Sequence, residues 1–111
     1  MSKREAKLYL NDIIEAIEKI EKYTSGFNLE TFREDIKTVD AVMRNFSIIG
    51  EAINNLPPEL KTTHPEIPWA DINGMRNKII HEYFGVDENI LWDTSKENLP
   101  ELKKQISKIS L

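Results

Sequence analysis

The run Arg76-Asn77-Lys78-Ile79-Ile80-His81-Glu82-Tyr83 places a permanent cation, an amide and an imidazole close together in a segment otherwise patterned like core helix. These are the side-chain types needed to cleave a phosphodiester without a metal. An imidazole ordinarily titrates near neutrality, so it can take a proton from a ribose 2′-hydroxyl or give one to the leaving oxygen. A guanidinium keeps its charge and can hold the negative charge that builds on the phosphoryl oxygens. An amide can orient either of them, or the phosphate itself. Arg76, Asn77 and His81 are the candidates this chemistry points to.

Helical geometry sharpens the picture. At about 100° per residue, Met75, Ile79, Ile72, Tyr83, Trp69 and Ile80 fall between about −100° and about +40° of Arg76, so Arg76 lies inside an apolar arc. A guanidinium there must snorkel outward, pair with a carboxylate or line a cleft. A buried ion pair with Asp40 or Glu51 of the preceding long helix would satisfy it. Asn77 and His81 lie about 100° and 140° around the same wheel, with Asn73 between them and Arg76, and together they form a polar ledge. Arg76 and His81 therefore do not share a face. A groove made with another helix, or with a second subunit, is what would let them converge on one ligand.

The elements that must hold these residues read as helices throughout. Ser2 with Glu5 has the form of a capping box, followed by Ala6, Leu10, Ile13, Ile14, Ile17 and Ile20 at helical spacing up to Ser25-Gly26. A short turn over Leu29 to Glu34 leads into a second long helix with the stripe Val39, Met43, Phe46, Gly50, Ile53 and Leu56, stopped by Pro57-Pro58. A polar strip of Asp40, Arg44, Ser47, Glu51 and Asn54 separates that stripe from Ala41, Ile48, Ile49 and Ala52. The second helix thus has two apolar sides, for two neighbours in its own bundle or for one neighbour and a second protomer. A further turn near Glu59 to Thr62 precedes a third long helix over Trp69 to Phe84, closed by Gly85 and Asp87. The next segment carries Ile90, Leu91 and Trp92, and Asn98, Pro100 and Glu101 predict a fresh helix start before Leu102, Ile106 and Ile109. The expected fold is all-α: one antiparallel bundle of four to five main helices spanning residues 1–111.

Bulk properties narrow the function. A chain of 111 residues without cysteine has no disulfides, no thiolate nucleophile and no cysteine-ligated metal. His64 and His81 are its two histidines, so neither a metal nor another cofactor is expected. No stretch approaches the roughly 18 apolar residues of a membrane span and no apolar leader opens the chain, which predicts a soluble cytoplasmic protein. The net charge of −4 gives no global basic field, so any RNA would have to be steered by a local patch. Lys78 and Arg44 are candidates for that patch, although scattered cations on an acidic protein also mark plain solvated faces. His64 reads as a solvated loop residue. Glu51 and Glu82 have no spacing that favours acid/base work.

Arg-x4-His-x-Tyr over Arg76, His81 and Tyr83, with Pro68-Trp69 before it, resembles the HepT-like toxins of the HEPN superfamily. The resemblance extends through Tyr9-Leu10-Asn11-Asp12-Ile13, Ile49-Gly50-Glu51-Ala52, Gly85-Val86-Asp87 and Leu99-Pro100-x-Leu102. It implies a HEPN-like bundle and a metal-independent endoribonuclease serving as the toxin of a toxin-antitoxin pair. It further implies a homodimer whose two motifs meet in one composite cleft, with Arg76 and His81 as the catalytic pair and Asn77 as their polar helper. The implied partners are an RNA substrate and a cognate minimal nucleotidyltransferase antitoxin, which would adenylylate Tyr83. AMP on that tyrosine would bring bulk and negative charge beside the cleft, repelling RNA phosphates. Two other readings fit the same residues: a non-catalytic nucleotide- or phosphate-binding subunit partnering such a nucleotidyltransferase, and a structural bundle in which Arg76 is only ion-paired.

Overall fold

The computed structural model describes residues 3–81 and 85–111, and every regular element among them is helical. Helix α1 spans Lys3–Thr24, α2 Leu29–Glu34, α3 Ile36–Asn54, α4 Pro58–Thr63, α5 Trp69–His81, α6 Glu88–Asp93 and α7 Leu99–Ser107. The all-α bundle expected from the periodicity is what forms. Ser2, expected to cap α1, and Phe84, expected at the end of α5, lie outside the described residues. Among those described, no helix is long and apolar enough to cross a membrane.

Local chemistry sets the element ends. Gly26, with φ of +83°, turns the chain out of α1 through the left-handed region that suits glycine. Asn28 and Thr31 form a reciprocal capping box on α2, and the Asp35 carboxylate accepts the Thr38 N–H at 3.1 Å to start α3. Asp87, expected to close the third long helix, caps α6 by accepting the Asn89 N–H at 2.8 Å.

Helix α3 is the axis of the molecule, packed by α1 on one side and α5 on the other. Of its second apolar side, Ile49 and Ala52 are buried while Ala41 and Ile48 stay half-buried. Ile13, Ile17 and Ile20 of α1 meet Val42, Phe46, Ile49 and Ile53 of α3 in a core closed by Leu99, Leu102 and Ile106 of α7. Helix α5 is embedded only in part. Of its described side chains only Ile79 is fully buried, while Trp69, Ile72 and Met75 pack partly buried against the core.

The fresh helix start expected at Asn98 does not occur. Asn98 has helical dihedrals and no side-chain cap, and the chain runs from α6 through a π-helical turn, Thr94–Asn98, into α7. Proline at position 100 brings no N–H and its ring crowds the preceding turn. The wide turn absorbs this: the Leu99 N–H reaches the Thr94 carbonyl, and Pro100 falls in the first turn of α7, where a missing donor costs little. Lys96 on this turn donates to Thr24 Oγ1 at 2.8 Å and lies 4.9 Å from the Trp92 ring centre, fastening the turn to the end of α1.

Candidate active site

Helix α5 is aimed by the connection before it. The Trp69 indole N–H donates to the His64 carbonyl at 3.0 Å, and the Ile72 N–H reaches the Pro68 carbonyl at 3.3 Å. His64 is thus more than a solvated loop residue. Its side chain is only about a quarter exposed, with Nδ1 3.4 Å from Glu66, and its backbone holds the first turn of α5.

The approach of α5 to α3 is set by Gly50. A Cβ at that position would overlap the Cβ and Cγ of Arg76 and stand 2.9 Å from its Cδ. The aliphatic stem of Arg76 therefore lies across the bare backbone of α3 where any side chain would block it. This resolves the anomaly of a cation in an apolar arc: the stem is buried against glycine and the head emerges at the edge of α3. There Nη2 donates to Glu51 Oε2 at 2.7 Å and Nη1 to Asn77 Oδ1 at 3.1 Å. Of the two carboxylates considered from sequence, Glu51 is the partner. The pair is uneven, with the Arg76 side chain 22% and the Glu51 side chain 64% exposed.

Two polar atoms of α5 are buried without a partner, Arg76 Nε of the guanidinium and Asn73 Oδ1. A buried, unsatisfied polar atom is costly. Arg76 is accordingly held at one end by Glu51 and Asn77 while keeping hydrogen-bonding capacity unused.

His81 ends the described part of α5 and is exposed. From Arg76 it is about 7.5 Å along the axis and about 140° around it. The structure thus brings Arg76 and Asn77 together with Glu51, and it leaves His81 on the outer ledge. Tyr83 lies outside the described residues. A groove of about 540 Å³ among the described residues includes neither Arg76 nor His81. It is lined instead by Phe46, Met75 and Leu102 with the carboxylates of Glu66, Asp71, Glu97 and Glu101 and no lysine or arginine, a setting that repels polyanions.

The family profile described as ribonuclease HepT-like matches residues 13–109, which takes in every described residue of this arrangement. The chain belongs to the ribonuclease HepT-like family. It is 51% identical over 107 residues to "Probable ribonuclease HepT" of Thermococcus cleftensis, covering 96% of this chain and 97% of that protein. A protein of Caldanaerobacter subterraneus named as a candidate RNase is 43% identical over 101 residues, covering 91% and 90%. Another named in the same way, from Methanocaldococcus jannaschii, is 39% identical over 109 residues, covering 98% and 90%. No solved structure gives a significant match. The family matches the resemblance read from Arg-x4-His-x-Tyr. What the motif does not reveal is that Gly50, read from sequence as part of the resemblance, and Glu51, read as one of two candidate carboxylates, together form the seat beneath it.

Proposed function

We propose that the protein is a metal-independent endoribonuclease of the cytoplasm in which Arg76 and His81 act on one RNA phosphodiester. The 2′-hydroxyl attacks the adjacent phosphorus, His81 serves as proton acceptor or donor at the oxygens that react, and Arg76 stabilises the charge on the non-bridging oxygens. Asn77 orients the guanidinium. Attack by the 2′-oxygen leaves a 2′,3′-cyclic phosphate on one product and a 5′-hydroxyl on the other.

The observation that carries this reading is the seating of Arg76. A cation threaded over Gly50 and fastened by Glu51 and Asn77 is a preorganised phosphate clamp. The angular separation of His81 from Arg76 on α5 favours a cleft assembled by two protomers, each facing the other's motif. We therefore read the working form as a homodimer. In this reading the protein is the toxin of a toxin-antitoxin pair, neutralised by a minimal nucleotidyltransferase that adenylylates Tyr83.

The test is cleavage of a defined RNA in EDTA with analysis of the product ends. Cyclic phosphate termini are expected, whereas cleavage abolished by EDTA, or 3′-hydroxyl ends, would contradict the mechanism. The antitoxin arm is tested by incubating the protein with ATP and a minimal nucleotidyltransferase encoded beside it. A mass increase of one AMP that maps to Tyr83, together with lost cleavage, is the expected result.

A further inference from the structure

A second groove, about 330 Å³, follows the seam between α1 and α3 and is lined among others by Tyr9, Asp12, Arg44, Ser47, Ile48 and Asn55. Glu51, whose Oε2 holds Arg76, also lines it. The groove and the guanidinium thus adjoin through one carboxylate. Arg44 stands two helical turns away, about 10.5 Å along α3, a span that a short stretch of extended strand covers. It is exposed and forms no ion pair among the described residues, although Asp12 lines the same groove. Tyr9 and Ile48 are half-buried and offer a flat apolar floor. The Asn55 amide nitrogen is engaged by the Glu51 carbonyl at 2.9 Å, which orients its side chain.

We propose that this groove is a nucleotide subsite for the RNA strand, seating the nucleotide next to the phosphodiester held by Arg76. This rests on the reading of Arg76 as a phosphate clamp. The base packs on Tyr9 and Ile48, Arg44 takes its phosphate, and Asp12 reads the base edge. A floor of one aromatic ring accepts any base by stacking. The carboxylate of Asp12 only accepts hydrogen bonds, so it discriminates. Guanine presents two adjacent donors to it, adenine and cytosine an amino group each, and uracil an imino N–H flanked by two carbonyl oxygens that a carboxylate repels. The expected order at this position has guanine first and uracil last. The larger groove is excluded as the track by its four carboxylates without a cation.

Binding of fluorescein-labelled 2′-O-methyl RNA, whose blocked hydroxyl cannot attack, measures the subsite apart from catalysis. Full-length wild type is compared with Arg44→Ala, Tyr9→Leu, Tyr9→Phe and Asp12→Asn, each checked by circular dichroism, with the base varied along the strand. Arg44→Ala should flatten the slope of log affinity against log salt by about 0.7, the loss of one single-strand phosphate contact. Tyr9→Leu should weaken binding by roughly fivefold or more, and Tyr9→Phe, which keeps the ring, should restore it. Asp12→Asn should erase the preference for guanine over uracil. Wild-type salt slope and base preference in all the variants, beside normal cleavage of unmodified RNA, would overturn the subsite and leave the nuclease reading standing. The expected dependences with no cleavage by wild type would keep the subsite and overturn the nuclease. Failure of wild type to bind the RNA would overturn both.

Discussion

At the scale of single residues, the proposed chemistry depends on how Arg76 is held. Glu51 fixes the head of a side chain whose stem is fixed by Gly50, so removing the carboxylate frees the guanidinium without unfolding the helix that carries it. Glu51→Ala should lower kcat/KM by roughly a hundredfold, the effect of misplacing a charge-stabilising group by about an ångström. It should cost only about 1 kcal/mol in a urea melt, because the carboxylate is largely exposed. A loss of activity that merely tracks lost stability would show Glu51 to be structural. Much of this is legible in the sequence. Helical spacing alone marks Arg76 as a cation in an apolar arc and narrows its partner to Asp40 or Glu51. The choice between them is not legible, because it depends on where α5 crosses α3, and no periodicity within one helix encodes a crossing point.

At the scale of elements, that crossing is set by a glycine. Gly50→Ala gains about 1 kcal/mol of helix propensity, but the added methyl meets the root of the Arg76 side chain and α5 must move, at a cost of roughly 1–3 kcal/mol. The net expectation is a lowered melting temperature and near-complete loss of cleavage. A Gly50→Ala variant as active as wild type would remove Gly50 from the account. Read from sequence, Gly50 is a member of a core stripe and of the segment shared with the family, but an interior glycine does not announce which side chain crosses it. The join of α6 and α7 escapes sequence reading for a related reason: Asn98, Pro100 and Glu101 make the same pattern at a free helix start and after a π-helical turn. Elsewhere α7 is clasped to α1 by Lys103, 3.0 Å from Glu21 and 3.6 Å from Glu18. The hydrogen bond to Glu21 is the main cause that raises the Lys103 pKa above its ordinary value. A raised pKa stabilises the fold fully at pH values below the unfolded-chain pKa, and that stabilisation is lost as pH climbs through the folded one. Lys103→Met should therefore destabilise by less than about 1 kcal/mol at neutral pH, the pair being exposed. The difference from wild type should vanish in strongly alkaline solution, as followed by melts across pH.

At the scale of the whole molecule, an acidic protein with a net charge of −4 has to meet a polyanion. The charge distribution offers a solution: the wide groove beside α7 carries four carboxylates, while Arg44 and Arg76 flank the opposite stretch of α3. On the proposed reading, RNA is admitted on one face and turned away from the other. Helix α5 packs on α3 and leaves His81 exposed, which suits a cleft completed by a second copy. Mixing Arg76→Ala and His81→Ala protomers should then restore cleavage above that of either variant alone, because a mixed dimer retains one arginine and one histidine across the cleft. Activity no greater than the sum of the two would place the working pair within one protomer.

The central claim is that α5 presents a catalytic pair on a folded bundle, and one measurement bears on it most directly. Purified wild type and His81→Ala are given the same RNA in EDTA, with circular dichroism confirming that both are folded. Wild type is expected to cut and leave 2′,3′-cyclic phosphate ends, while His81→Ala binds the RNA and leaves it intact. Undiminished cutting by a folded His81→Ala protein would contradict the account.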